Sequence, residues 1–265
     1  MYFCGMNNRI VSLFKNGTQD IFSVFFTAGF PNLEDTTLVI KELEKNGAHL
    51  IEIGMPYSDP VADGATIQMS NQVALANGIT IEKILQQLKE IRKEVSIPLI
   101  LMGYLNPVMQ YGIEKFCKEI SEIGIDGVIL PDLPIDLYLL QYKDLFEKYN
   151  ISNVLLVTPQ TSEERIRLID DSTKGFIYLV SSNAITGNTA EISENQVDYF
   201  NRIKSYNLKN PTLIGFGINN NSTFQNACNH SRGAIIGSET IRSLEGATSA
   251  EVPERLADFS KKILG

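Results

Sequence analysis

The sequence is short of the residues that usually build metal and covalent sites. It has two histidines, three cysteines and no tryptophan. His49 opens a predicted strand and His230 follows a predicted helix, so the two form no ligand pattern and no metal is expected. Cys4, Cys117 and Cys228 are odd in number and contain no Cys-x-x-Cys pair. That suits thiols kept reduced in a cytosol and argues against a disulfide framework. No lysine stands at the C-terminal end of a predicted strand, which disfavours a Schiff-base aldolase. No Gly-x-Gly-x-x-Gly nucleotide motif is present. Met1 to Lys15 lacks the positive start and long apolar run of a signal peptide, and no apolar run reaches transmembrane length. A cytoplasmic location without membrane contact is therefore expected. Positive charge is also scarce, with 23 Lys and Arg against 31 Asp and Glu and a net charge of −8. That balance disfavours nucleic acid and anionic membranes as partners. It also removes long-range steering of an anionic substrate, so any phosphate must rest on local backbone donors.

What remains is a chain able to bury a large core: 265 residues, 43% hydrophobic and 20% charged. Short apolar segments alternate with helical patterns along its length. Strands are predicted at Ile21 to Thr27, His49 to Ile53, Leu99 to Met102, Gly127 to Leu130, Asn153 to Val157, Gly175 to Val180, Thr212 to Gly215 and Gly233 to Ile236. Helices are predicted from Asn32 to Lys45, Ile81 to Glu94, Ile113 to Ile123, Asp136 to Lys148, Ser162 to Asp170, Ser193 to Tyr206, Asn221 to Asn229 and Val252 to Leu264. The strands are apolar almost throughout, as parallel strands covered on both faces should be. Eight such units in about 250 residues predict an α/β fold, a (β/α)8 TIM barrel forming one domain over 1–265. A doubly wound sheet is the rival, but it would be unusually wide for one domain. An extra N-terminal helix, Asn7 to Asn16, is placed to plug one end of the barrel.

In a barrel every strand-to-helix loop lies on one rim, which brings Glu52, Asp63, Tyr104, Asp132, Thr186, Gly217 and Gly237 to the same mouth. The segment from Leu50 to Gln68 is the most informative. An apolar strand carries Glu52 and runs straight into a loop with Gly54, Pro56, Pro60 and Gly64 that holds Asp59 and Asp63. Gly-Phe-Gly-Ile (215 to 218) follows strand seven, and Gly237-Ser238 joins strand eight to a short helix. Glycine amides there, with a helix N-terminus, make a phosphate cup. Thr186-Gly187 can add a hydroxyl and a further N–H. Carboxylates, hydroxyls and backbone dipoles are the available chemistry, which points to cofactor-free acid–base work on a small phosphate ester.

Seven motifs in fixed order narrow this further: Phe-Phe-Thr-Ala-Gly-Phe-Pro (25 to 31), Glu-Ile-Gly-Met-Pro-Tyr-Ser-Asp-Pro-Val-Ala-Asp-Gly-Ala-Thr-Ile-Gln (52 to 68), Met-Gly-Tyr-Leu-Asn-Pro (102 to 107), Pro-Asp-Leu-Pro (131 to 134), Ile-Thr-Gly (185 to 187), Gly-Phe-Gly-Ile (215 to 218) and Ile-Gly-Ser (236 to 238). With them the chain resembles the tryptophan synthase α-subunit family along essentially its whole length. The resemblance implies a retro-aldol lyase that cleaves indole-3-glycerol phosphate to indole and glyceraldehyde 3-phosphate without a cofactor. It assigns proton transfer to Glu52 and the indole N–H to Asp63. Phe25, Met102, Tyr104 and Val157 would enclose the indole, and Tyr178 would orient Glu52. Gly187, Gly217, Gly237 and Ser238 would hold the phosphate, and Phe216 would be a further substrate-binding residue. It also implies a partner, a pyridoxal-phosphate-dependent β subunit that takes up the indole in an α2β2-type complex. The rim loops after strands two and six, with Asn106-Pro107, would face that partner.

Glu52, leaving an apolar strand, is expected to have a raised pKa, while Asp63 on a wetter loop stays ionised. The sequence departs from the family pattern in the lid, Ser181 to Glu191. Ser182 stands where many members have Arg, and Ala184 where many have Gly. Three other readings stay open at this point: a free-standing lyase without a partner, a weakly catalytic subunit that mainly activates β, and another phosphate-binding barrel.

Overall fold

A computed structural model describes residues 8–180, 194–215 and 217–265. Its strands form one parallel sheet of nine segments. We number them β1 (Ile21–Thr27), β2 (Leu50–Gly54), β3 (Leu99–Met102), β4 (Gly127–Ile129), β5 (Ser152–Asn153 and Leu155–Val157), β6 (Ile177–Val180), β7 (Thr212–Gly215) and β8 (Gly233–Ile236). The two pieces of β5 flank Val154. One pairs with β4, through Val128 and Asn153, and the other with β6, through Leu155 and Ile177. With β1 paired to both β2 and β8, the ring of eight closes. This is the expected α/β TIM barrel, and its strands are buried nearly throughout.

The extra N-terminal helix is α1 (Arg9–Lys15), capped by the Asn8 side chain, which accepts a hydrogen bond from Ile10 N. Ile10 is fully buried and lies against Gly127 and Gly175, where any Cβ would collide with it. Burying one such side chain contributes roughly 1.5–3 kcal/mol. Asn8 Nδ2 also donates to the Asp126 carbonyl at 2.7 Å. Asp126 is in turn held by Arg92 at 2.6 Å and Arg9 at 3.1 Å. These contacts fix the end of the barrel opposite the rim and leave the rim to the loops.

The structure corrects several helix boundaries, most of them around the rim. Two rim helices have no counterpart in the sequence reading: α3 (Ala65–Ala76) after β2 and α5 (Leu105–Tyr111) after β3. In α3 the buried positions are Ile67, Ser70, Asn71 and Ala74. That is helical spacing, but two of the four are polar, so no apolar stripe shows. In α5 Pro107 falls in the first turn, where its missing N–H has no helical partner to lose. The helix predicted from Asn32 begins later, as α2 (Thr36–Lys45), with Asn32 bonding Asp35 at its N-cap. The helix predicted from Ile81 to Glu94 is α4 (Ile81–Leu88) followed by a separate 3-10 turn, Ile91–Lys93. Between β4 and β5 the helix is interrupted by a π-helical turn, Tyr138–Tyr142. No helix among the described residues is long and apolar enough to cross a membrane.

Candidate active site

Glu52 sits in the middle of β2, paired across the ladder with Phe25 on one side and Ile100 on the other. Its side chain is fully buried. One carboxyl oxygen, Oε1, accepts a hydrogen bond from Ser23 Oγ at 3.1 Å, while Oε2 has no partner among the described residues. Burial raises its pKa from 4.5 to about 8, against a smaller downward pull from the Ser23 bond. The carboxyl is therefore mostly protonated at neutral pH, and the upward direction is the one the sequence predicts for an acid leaving an apolar strand.

Asp63 lies on the loop between β2 and α3 and is half-buried. Tyr104 donates its hydroxyl proton to Asp63 Oδ2 at 3.1 Å and accepts from Ala62 N at 2.9 Å. Burial raises the Asp63 pKa from 3.8 to about 6, and the Tyr104 bond opposes that rise. Asp63 is thus less wet than the sequence suggests, yet still ionised at pH 7. Tyr104 does more than border a ring, because its hydroxyl ties the acid-bearing loop to the end of β3. Asp132 supports this tie by accepting two bonds from Leu105 N, at 2.9 and 3.1 Å, next to Tyr104.

A cleft opens among Phe25, Gly54, Met55, Asp63, Asn71, Met102, Gly103, Tyr104 and Pro131. It gathers four of the predicted site residues: Phe25, Asp63, Met102 and Tyr104. Glu52 does not itself line it, but its ladder partner Phe25 does, as does Gly54 two residues on. Tyr178 is buried on β6. Its hydroxyl is held well above its ordinary pKa by burial and then by the charges of both Glu52 and Asp63, so its ring senses the two acids together. Val157 is buried at the end of β5, where its carbonyl accepts from Tyr199 at 2.9 Å.

On the opposite side of the rim, Gly217 has a φ of 80° and faces open space. Gly237 precedes the helix Ser238–Leu244. A methyl group added at Gly237 would sit 3.4 Å from the Phe25 ring and 3.8 Å from Ile67, so this glycine adjoins the acid side through Phe25. Thr186, Gly187 and Phe216, with the lid positions Ser182 and Ala184, lie outside the described residues. The sequence reading missed Ser23, the partner of Glu52, and Asn71 on the unforeseen helix α3. The spacing of Ile67, Ser70, Asn71 and Ala74 was the available signal.

The profile of the family described as "Tryptophan synthase alpha chain" matches residues 12–262. The chain belongs to this family. A tryptophan synthase alpha chain from Flavobacterium johnsoniae is 53% identical over 252 residues, covering 95% of this chain and 99% of that one. Another from Parabacteroides distasonis is 51% identical, covering 96% and 100%. Among solved structures, the tryptophan synthase alpha chain of Legionella pneumophila subsp. pneumophila superposes with a TM-score of 0.86 at 30% identity, over 97% of this chain and 96% of that one. A tryptophan synthase complex from Pyrococcus furiosus gives 0.84 at 31%, over 94% and 99%. Membership of the alpha chain family accounts for the seven motifs and their order along the chain.

Proposed function

We propose that this chain is the α subunit of a cytoplasmic tryptophan synthase, a single-domain lyase that converts indole-3-glycerol phosphate to indole and glyceraldehyde 3-phosphate. The observation that carries the site assignment is the split between its two acids, Glu52 raised to about 8 and Asp63 to about 6. At pH 7 one is an acid and the other a base, which is what the reaction needs.

Expelling an indole C3 carbanion directly is unfavourable. Glu52 therefore gives its proton to C3 while Asp63 removes the N–H proton, forming the indolenine tautomer. The Glu52 carboxylate then takes the proton of the adjacent side-chain hydroxyl. The C–C bond breaks, the carbinol carbon becomes the aldehyde, and the bond's electron pair flows through the ring to nitrogen. Asp63 returns its proton there, giving neutral indole. Both acids end in their starting states, so no cofactor enters the balance.

The remaining assignments are placement. Phe25, Met102, Tyr104 and Val157 enclose the ring, and Tyr178 orients Glu52. Phe216 is a further substrate-binding residue. Gly187, Gly217, Gly237 and Ser238, with Thr186, hold the phosphate. Gly217 supports this with a φ of 80° and with open space where a side chain would otherwise sit. A pyridoxal-phosphate β subunit receives the indole. The exposed apolar side chains of Val61 and Met109, on the loop after β2 and on α5, support a docking face on this rim. The test is indole release from indole-3-glycerol phosphate by the purified chain, with and without a matching β subunit. Turnover that β accelerates many-fold is expected. No indole under either condition would reject the reading, and activity indifferent to β would reject the coupling.

A further inference from the structure

Three of the nine residues lining the cleft have polar side chains: Asp63, Tyr104 and Asn71. Asp63 and Tyr104 satisfy each other. Asn71 is only 4% exposed. Its carboxamide can donate two hydrogen bonds and accept two, and none is recorded to it among the described residues. The residue is buried, yet its polar atoms open into the cleft, where a ligand can take them up.

We propose that Asn71 is a further substrate-binding residue, whose carboxamide holds a hydroxyl of the substrate's glycerol chain. The inference rests on the functional reading above and deepens it. Helix α3 starts two residues after Asp63. Its first buried position, Ile67, reaches Gly237, and Asn71 is the buried position one turn on. The face of α3 that carries Asn71 therefore borders the same cleft as Asp63, one turn from the residue that meets Gly237. Indole offers one polar atom, its N–H, and Asp63 takes it. The phosphate is anionic and is served by backbone amides. What lies between is a pair of neutral hydroxyls, each a donor and an acceptor, and a neutral carboxamide matches that need. Among the described residues that line the cleft, Asn71 is the polar side chain with no recorded hydrogen bond.

The test compares two ligands in the Glu52→Gln background, where substrate persists long enough for titration calorimetry. One is indole-3-glycerol phosphate. The other is 3-(indol-3-yl)propyl phosphate, which keeps the ring and phosphate but lacks both hydroxyls. Adding Asn71→Leu, an apolar residue of similar size, is expected to raise the Kd of the glycerol phosphate roughly three- to tenfold. The Kd of the propyl phosphate should not change. Asn71→Ala should give the same split if leucine overpacks the wall. Equal weakening of both ligands would make Asn71 merely a wall residue and overturn the proposal, as would no change in either. Failure of the functional reading looks different: a wild-type chain that binds neither ligand and forms no indole would overturn both.

Discussion

The strand wall that carries Glu52 and the rim loop that carries Asp63 take the same functional group in different directions. On the wall a carboxyl is sealed among apolar neighbours, with one hydrogen bond and one oxygen unpartnered among the described residues, and its pKa rises to about 8. On the loop a carboxyl is half-buried and steadied by one phenol, and its pKa rises only to about 6. Burial is the larger cause in both, so the depth at which each acid sits sets its role. The lesson is that one barrel mouth can make a proton donor and a proton acceptor from the same functional group.

The largest expected effects come from erasing one side of this comparison. Glu52→Gln keeps the shape but cannot cycle a proton. Its turnover should fall by at least the roughly 10²–10⁴-fold typical of a general acid–base group, with substrate binding retained. Asp63→Asn should be similarly severe, because the N–H then has no base. Steady-state indole assays measure both, and near-normal turnover in either variant removes that acid from the mechanism.

A second experiment disturbs the Tyr178 position without touching an acid. A Cβ at Gly215 would overlap the Tyr178 hydroxyl. Gly215→Ala should therefore displace that ring and lower turnover clearly, though by less than loss of Glu52. In a Tyr178→Ala background, which removes the colliding ring, Gly215→Ala should cost less melting temperature than it does in wild type, a partial recovery. No recovery in the double variant would mean that the ring is not what Gly215 protects.

The comparison also has a stability consequence. Glu52 has a folded-state pKa above its ordinary value, so folding favours its protonated form. The native state is thus penalised progressively as pH rises from about 4.5 to about 8, and the penalty is constant above that. Glu52→Gln should melt higher than wild type, with a gap that opens across this window and closes near pH 4. A gap independent of pH would show that Glu52 is not held protonated.

Much of this arrangement is legible in the residues alone. The eight apolar segments announce the barrel because parallel strands buried on both faces lose their alternation. The Glu52-to-Gln68 segment marks itself by crowding prolines, glycines and acids behind a strand. What the sequence hides is less periodic. Helix α3 hides because Ser70 and Asn71 occupy two of its buried positions, and Ser70 bonds Thr27 rather than packing as a hydrophobe. The Tyr104 tie to Ala62 and Asp63 hides because it joins residues 41 and 42 positions apart. The raised pKa of Asp63 hides for the same reason, since loop membership says nothing about what folds over the loop.

Smaller and sharper effects should appear in the pH profile of kcat/KM. It should rise through about 6 as Asp63 ionises and fall through about 8 as Glu52 ionises. The Tyr104 bond holds Asp63 lower than burial alone would, so Tyr104→Phe should move the acid limb upward. The Ser23 bond does the same for Glu52, so Ser23→Ala should move the alkaline limb upward. Each variant should shift one limb and leave the other in place.

The most direct measurement is a carbon-13 NMR titration of the side-chain carboxyls, with Glu52→Gln and Asp63→Asn used to assign the two signals. The account predicts one glutamate carboxyl titrating near 8 and one aspartate carboxyl near 6, so that pH 7 finds the first protonated and the second ionised. Both groups titrating near 4, or the aspartate above the glutamate, would contradict it.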